Sequence, residues 1–378
     1  MKPESNETPA AAGFRMPAEW ESHEATWLAW PHQRSDWPSK FSPIPWVYAE
    51  VVRHLVDGER IRILVGSDAV QRSAVSVLRR AGVDLSGVEF FRGSTDRAWT
   101  RDYCPTFVKH PRGEVAAVNW KFNGWAKYGN YHRDAAVSDL LARRLKLRQW
   151  KPTVVVDAKR KRLVLEGGSI DVNGRGLLLT TEECLLSPVQ ARNPGLPREV
   201  LEQALGESLG IRDVLWLGEG IAGDDTHGHV DDLARFTDPT TVVIATEDDP
   251  ADENFARLKT NRARLNNFRN HQGQPLRTVL LPMPAPVFFN GQRLPASYAN
   301  FYIGNHAVLV PTFNDPKDRI ALQTLSELFP LRRVVGIHSL DLVLGLGTLH
   351  CMTQQQPASA PDPLSDGAVH RSATARQA

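Results

Sequence analysis

The chain is predicted to fold as an α/β protein built from repeated ββαβ units arranged with pseudo-symmetry about a shared axis. Three observations lead there. Short β runs occur in small groups, each followed by one amphipathic helical stretch, where a doubly wound parallel sheet would alternate strictly. An Asn173-Gly174 turn inside the Leu163 to Thr180 region breaks that alternation with a hairpin signal. Four chemically suggestive positions, Asp102, Glu166, His229 and Cys351, lie on a lattice of about 61 to 64 residues with one slot skipped near 290. A repeat of that length allows about five units in 378 residues, each sending a strand end or loop to the axis.

The elements follow in chain order. Residues 1–13 are rich in small, polar and proline residues and read as a disordered tail, as do residues 358–378. Between them, 14–357 reads as a single catalytic domain. Strands are expected at 61–65, 115–118, 154–156, 163–165, 177–180, 214–217, 242–245, 278–281, 308–310 and 334–337, on β-branched content and length. Helices are expected at 45–55, 69–81, 135–145, 197–209, 252–268 and 318–329, with Asp68, Asp134 and Asp315 as start signals. The stretch from Asn300 to Asn305, leading into Ala307, reads as strand–turn–strand. No GxGxxG follows a strand and opens a helix, which removes the dinucleotide-binding fold.

Composition narrows the function classes. Lys and Arg number 45 against 43 Asp and Glu, so the net charge is +2. A nucleic-acid binder needs a concentrated basic footprint, and Lys159–Arg162 and the arginines from Arg257 to Arg269 read as solvated faces. No run of about 18 apolar residues is present to span a bilayer. The N-terminus has no apolar secretory core. Three scattered cysteines, Cys104, Cys184 and Cys351, form no CxxC pair and fit a reducing, cytoplasmic compartment. A homo-oligomer stays open.

Cys351 follows Gly345-Leu346-Gly347-Thr348-Leu349-His350 and precedes a polar run. Glycines there let backbone approach a ligand closely. Asp102, in Trp99-Thr100-Arg101-Asp102, either pairs locally or grips a cation flanked by Trp99. Glu166 ends an apolar run before Gly167-Gly168, and a buried charge there needs a partner. Gly223 to Leu233 holds two histidines and four aspartates. His229 and Asp231, two residues apart, are expected on one face of an extended strand. His227-x-His229 with its aspartates is also how a metal-dependent amidohydrolase site begins, and that alternative stays open beside a non-catalytic guanidinium-binding protein. A thiol, an imidazole and surplus carboxylates suit a planar cation. Guanidinium keeps its charge at neutral pH, and its fork of donors matches carboxylates.

These motifs resemble those of agmatine deiminases and the related bacterial-type peptidylarginine deiminases. The resemblance rests on Trp99-x-Arg101-Asp102, Glu166-Gly-Gly-Ser169, Leu178-Leu-Thr-Thr-Glu-Glu-Cys-Leu-Leu186, Gly223-Asp-Asp-Thr-x-Gly-His-Val-Asp231, Ala296-Ser-Tyr-x-Asn-Phe-Tyr-Ile303 and Leu349-His-Cys-x-Thr-Gln-Gln355. It runs from about Met16 to Pro357. It implies the pentein fold, a five-bladed α/β propeller of ββαβ modules, with no cofactor and no metal. It implies that Cys351 is the nucleophile, His229 the general acid/base and Glu166 its support. Asp102 and Asp231 would hold the guanidinium, with Trp99, Asp224 and Asp225 around the substrate's tail. The implied reaction turns a guanidino group into a ureido group plus ammonia, with agmatine giving N-carbamoylputrescine for putrescine synthesis. Peptidyl arginine is the alternative substrate. Tyr103 and Cys104 stand where the family has a small residue and glycine. His227, Asp232 and Leu346 also depart from its pattern, which leaves the substrate less fixed than the reaction.

Overall fold

A computed structural model describes residues 7–156 and 158–360. Among these, one pairing scheme recurs five times. Each sheet has a first strand antiparallel to a buried central strand, which is parallel to a third strand reached through helix. Thr106–Lys109 pairs antiparallel with Val115–Val118, and Gln149–Trp150 runs parallel to it. Asp171–Val172, Leu177–Thr181 and Asp213–Leu217 repeat the order. So do Ala234–Asp238, Thr241–Thr246 and Arg277–Pro282, and then Tyr302–Ile303, Ala307–Thr312 and Arg333–His338. The fifth sheet joins the two ends of the described chain. Gln354–Pro357 pairs antiparallel with His23–Ala29, and Arg60–Val65 and Val88–Arg92 follow in parallel. The helices over Ile44–Leu55, Asp68–Arg80, Val137–Arg144, Arg198–Leu209, Glu253–Asn267 and Lys317–Leu328 make the crossovers. Parallel pairing demands such connections. The five sheets stay separate ladders.

The strand Gln354-Gln355-Gln356-Pro357 has no apolar residue before its proline, yet it is buried. Two of its three side-chain amide oxygens are answered inside, while Gln354 Oε1 has no partner. Gln356 Oε1 accepts from Trp27 Nε1 at 2.9 Å and Arg62 Nη1 at 2.7 Å, and Gln355 Oε1 accepts from Arg101 Nη1 at 2.6 Å. Satisfied polar groups carry no desolvation penalty of the unpaired kind. The largest apolar cluster lies against this seam and includes Trp27, Trp37, Tyr48, Tyr298 and Phe301.

Several expectations need correction. The strand expected at 163–165 is a single bridge, Val164 to Lys121, while Lys159–Arg162 forms a hairpin with Thr153–Val156. The helix expected over 135–145 starts at Val137, after a separate turn over His132–Ala135 in which Asp134 faces inward and accepts from the backbone N–H of Asp96 at 2.7 Å. Ser67, not Asp68, caps its helix by accepting from Val70 N. Residues 8–13, expected within a disordered tail, form a hydrogen-bonded turn docked by Ala10 N to Glu207 O. Ala358, expected in the other tail, donates its N–H to Ser22 O at 2.8 Å, and tail residues 1–6 and 361–378 lie outside the described ones. No helix among the described residues is long and apolar enough to cross a membrane.

Candidate active site

The polar residues of the lattice sit just before the first strand of successive sheets. Asp102 lies in the single turn Thr100–Tyr103 ahead of Thr106, and Glu166 precedes Asp171. His229 caps a 3-10 turn over Val230–Asp232 ahead of Ala234, and Cys351 precedes Gln354. The skipped slot is filled by Asn300, just before Tyr302. One position per unit therefore reaches a common centre. His229 and Asp231 share that centre through a 3-10 turn, not through the extended strand the two-residue spacing predicted.

Gly168 measures how closely the groups converge. A Cβ placed on it would lie 2.6 Å from His229 Nδ1, 3.0 Å from Asp102 Oδ1 and 3.0 Å from Asp231 Oδ2. Its own N–H donates to Asp102 Oδ1 at 3.0 Å, and Trp125 Nε1 donates to Asp102 Oδ2 at 2.8 Å. His229 is fully buried, with Nδ1 at 3.9 Å from Asp102 and Nε2 at 3.6 Å from Glu166. Cys351 Sγ lies 3.8 Å from Asp231 Oδ2 and accepts from Asn300 Nδ2 at 3.1 Å. The glycines ahead of the thiol are needed for packing. Side chains at Gly345 or Gly347 would run into Trp99, and at Gly345 into Trp37 as well.

A second layer fixes the first. Arg192 Nε donates to Glu166 at 3.1 Å, so the glutamate stays charged behind the imidazole. His350 bridges Asp231 and Glu19, at 2.7 Å each. Glu19 also faces Arg235 at 2.9 Å and Arg101 at 3.3 Å. A single buried chain of charge thus runs from two arginines to the carboxylate beside the thiol.

The charge states follow from these contacts. Burial pushes the Cys351 thiol well above its ordinary range, and the carboxylates of Asp231, Asp232 and Asp102 push it the same way. Burial opposes the charged form of His229, but Asp102, Cys184 and Glu166 outweigh it and hold the imidazole pKa well up. Burial raises Asp102 to about 6. Burial also opposes charge on Glu166 and Asp231, but Arg192 and His350 respectively keep both low. The contacts therefore favour a protonated imidazole and a protonated thiol, the thiol facing the carboxylates of Asp231, Asp232 and Asp102.

A cavity of about 290 Å³ leads to this centre, with Cys351 and Asp102 in its lining. Trp99, Trp125, Tyr128 and Phe289 give it aromatic walls, and Asp36, Arg97 and Asp225 add charge. Asp225 is engaged by Lys127 at 2.5 Å and Tyr128 at 2.7 Å. Asp224 does not line the cavity. Its oxygens accept from the backbone N–H of Thr226, Gly228 and His229 at 2.7 to 2.9 Å, and so shape the loop that carries the imidazole. Asp36, which sequence reasoning passed over, has a buried oxygen with no partner, and burial raises it to about 6. Asn300, which the sequence marks only as part of a strand–turn–strand, donates to the thiol, while Asn305 serves the fold by bridging His23 and Gly58. Tyr103 and Cys104 point into the apolar core, away from the cavity. His227 turns toward Glu183 and Ser187, so it does not share ligands with His229. Two groups have donor atoms within 4.8 Å of one another, Glu166–Cys184–His229 and Asp231–Asp232–Cys351. In the first, Glu166 already answers to Arg192. In the second, Asp231 answers to His350.

Known proteins resemble this chain over most of its length. Residues 15–357 match the family of Porphyromonas-type peptidyl-arginine deiminases. The chain is 36% identical to the agmatine deiminase of Ectopseudomonas mendocina, over 93% of this chain and 97% of that one. Among solved structures, the agmatine deiminase of Enterococcus faecalis superposes with a TM-score of 0.85 at 31% identity, covering 94% and 99% of the two chains. A substrate-bound agmatine deiminase of C. jejuni superposes at 0.79 with 30% identity, covering 91% and 96%. An amidinotransferase of Microseira wollei, at 12% identity, covers 92% and 97% with a TM-score of 0.50 and is alike in fold alone.

Proposed function

The chain belongs to the Porphyromonas-type peptidyl-arginine deiminase family, and from that premise we propose that it hydrolyses the guanidino group of agmatine to give N-carbamoylputrescine and ammonia. The observation that carries the reading is the convergence of an imidazole and two carboxylates at Gly168, with the buried thiol 3.8 Å from the Asp231 oxygen that lies there. A guanidinium placed between Asp102 and Asp231 donates charge-assisted hydrogen bonds from both edges. It also cancels the negative field that keeps Cys351 protonated. The substrate thus lets the thiol release its proton to solvent, while His229 already carries one.

The Cys351 thiolate then adds to the guanidinium carbon. The tetrahedral adduct expels ammonia, which takes its proton from His229. The resulting S-alkylthiouronium is attacked by water that gives a proton back to His229. Collapse breaks the C–S bond, the hydroxyl gives its proton to water, and the ureido product and the thiolate remain. Glu166, held by Arg192, keeps the ring in place, and His350 holds Asp231. Trp99 and Trp125 in the lining offer apolar faces to a linear alkyl chain, and Asp36 offers its unpartnered oxygen to the terminal ammonium.

We read the five sheets as blades of a five-bladed α/β propeller of the pentein type. The same pairing order in each sheet supports it, as does the closure of Gln354–Pro357 on His23–Ala29. A cytoplasmic location is part of the same reading, supported by three unpaired cysteines. The test is a panel of agmatine, arginine and an arginine-containing peptide, with ammonia and ureido product both measured, on the protein and on Cys351→Ala. Agmatine is expected to be the preferred substrate, with turnover abolished in the folded variant. Turnover retained by Cys351→Ala overturns the mechanism, and preference for the peptide overturns the substrate.

A further inference from the structure

A second cavity, of about 710 Å³, shares no lining residue with the first. It lies between the hairpin Thr153–Arg162, the segment Asn119–Phe122 and the stretch Arg192–Leu196. Its size is that of small-molecule sites in general. Its charges are unbalanced. Lys121, Lys161 and Arg162 line it, with His132 and with Arg192, whose Nε is committed to Glu166. The acid in its lining, Asp139, is held by Lys151 at 2.7 Å. Among the described residues, none of Lys121, Lys161 and Arg162 forms an ion pair with a carboxylate.

Two buried donors point to what is missing. Arg162 Nη2 donates to Asn119 O at 2.6 Å and Oδ1 at 3.2 Å, but its Nε has no partner. Asn119 is 2% exposed and its Nδ2 also has no partner. Turning the Asn119 amide over would only set its NH₂ against the Arg162 guanidinium, so flipping it does not satisfy either donor. Leaving buried donors unmet is costly, and a guanidinium is the donor best shaped for a flat or tetrahedral anion. Burial also pushes Arg162 below its ordinary pKa, only partly offset by Asp139, as expected of a cation without its counter-ion. The opposite wall is apolar, made by Trp120, Phe122, Val154, Val156, Val164 and Leu196. An inorganic ion alone would leave that wall facing water.

We infer that this cavity is a second ligand site, for an organic phosphate whose apolar or aromatic body packs on the valine and tryptophan wall while its phosphate meets Arg162, Asn119 and the two lysines. Three uncompensated cations favour a phosphate ester near −2 over a carboxylate of −1.

The probe is phenyl phosphate, titrated against the full chain by calorimetry and thermal unfolding, with inorganic phosphate and benzoate alongside. Saturable binding with a rising Tm is expected for phenyl phosphate. Both other ions should bind at least about tenfold more weakly, each lacking one half of the match. Arg162→Met is expected to weaken binding by about tenfold or more, the loss of a charge-assisted contact. If that variant does not fold, the exposed pair Lys121→Ala/Lys161→Ala decides, with the same expected loss. No binding of phenyl phosphate at millimolar concentration overturns the inference. Binding that neither variant weakens, or an equal response to inorganic phosphate, overturns it too. None of these readouts depends on turnover, so their failure would leave the reading of the first cavity untouched.

Discussion

Replacing Gly168 by alanine is the sharpest geometric probe of the centre. The backbone of Gly168 lies outside the left-handed region, so alanine meets no torsional penalty there. The obstacle is space. The new methyl carbon would sit 2.6 Å from His229 Nδ1 and 3.0 Å from one oxygen each of Asp102 and Asp231. Ordinary contact needs about 3.4 Å or more, so the ring must retreat by roughly 0.5 to 1 Å and the acids by a few tenths. All three side chains are buried and packed, so the shift cannot be absorbed by solvent-facing movement. Overpacking of this kind costs about 1–3 kcal/mol of stability, which the folded protein should survive. A misplacement near 1 Å costs on the order of 10²-fold in rate, or about 3 kcal/mol in the barrier. The assay is kcat/KM for ammonia release from agmatine, with Tm measured in parallel. Gly129→Ala is the control, since nothing lies within 4 Å of its added carbon. A Gly168→Ala protein with unchanged kinetics would refute the claim that imidazole and carboxylates meet around one reacting carbon.

Two further outcomes follow from the charges. Asp36→Asn should raise KM for agmatine about 10- to 100-fold, the value of one hydrogen bond to a charged group, with a smaller change in kcat; steady-state kinetics check it, and an unchanged KM removes Asp36 from the tail site. The acid side of the pH profile should be set by Asp102 and Asp36, both raised to about 6. Each is ionised above that value and neutral below it, so the site loses its grip on cations as pH falls. A plot of log kcat/KM is expected to bend down below about pH 6, more gently in Asp36→Asn, where one of the two groups is gone; a flat profile to pH 5 contradicts the assignment.

Much of this was legible in the chain because the fold repeats. Asp102, Glu166, His229 and Cys351 recur at near-constant spacing since each precedes the first strand of its sheet, and strands such as Thr241–Thr246 announce themselves by β-branched runs. The apolar pattern also places the helices over Glu253–Asn267 and Lys317–Leu328 to within a residue or so. What the chain did not show depends on distant partners. Gln354–Gln356 looks like a polar loop until Trp27, Arg62 and Arg101 supply its hydrogen bonds. Asp36 reaches the cavity from a short 3-10 turn with no periodic signal. The resemblance implied a tail role for both Asp224 and Asp225, but Asp224 turns toward backbone N–H groups of its own loop instead of the cavity. His350 was visible as the neighbour of Cys351, yet nothing local tells that it ties Asp231 to Glu19, whose positions lie far off in sequence.

The central claim is that the sulfur of residue 351 forms a bond to the guanidinium carbon. Acid-quenching the protein during turnover of agmatine and weighing it intact tests this directly. The prediction is a transient species heavier by agmatine less one ammonia, localised by peptide mapping to the segment containing Cys351 and missing from Cys351→Ala. Active protein that never gains this mass, or gains it on another residue, would contradict the account.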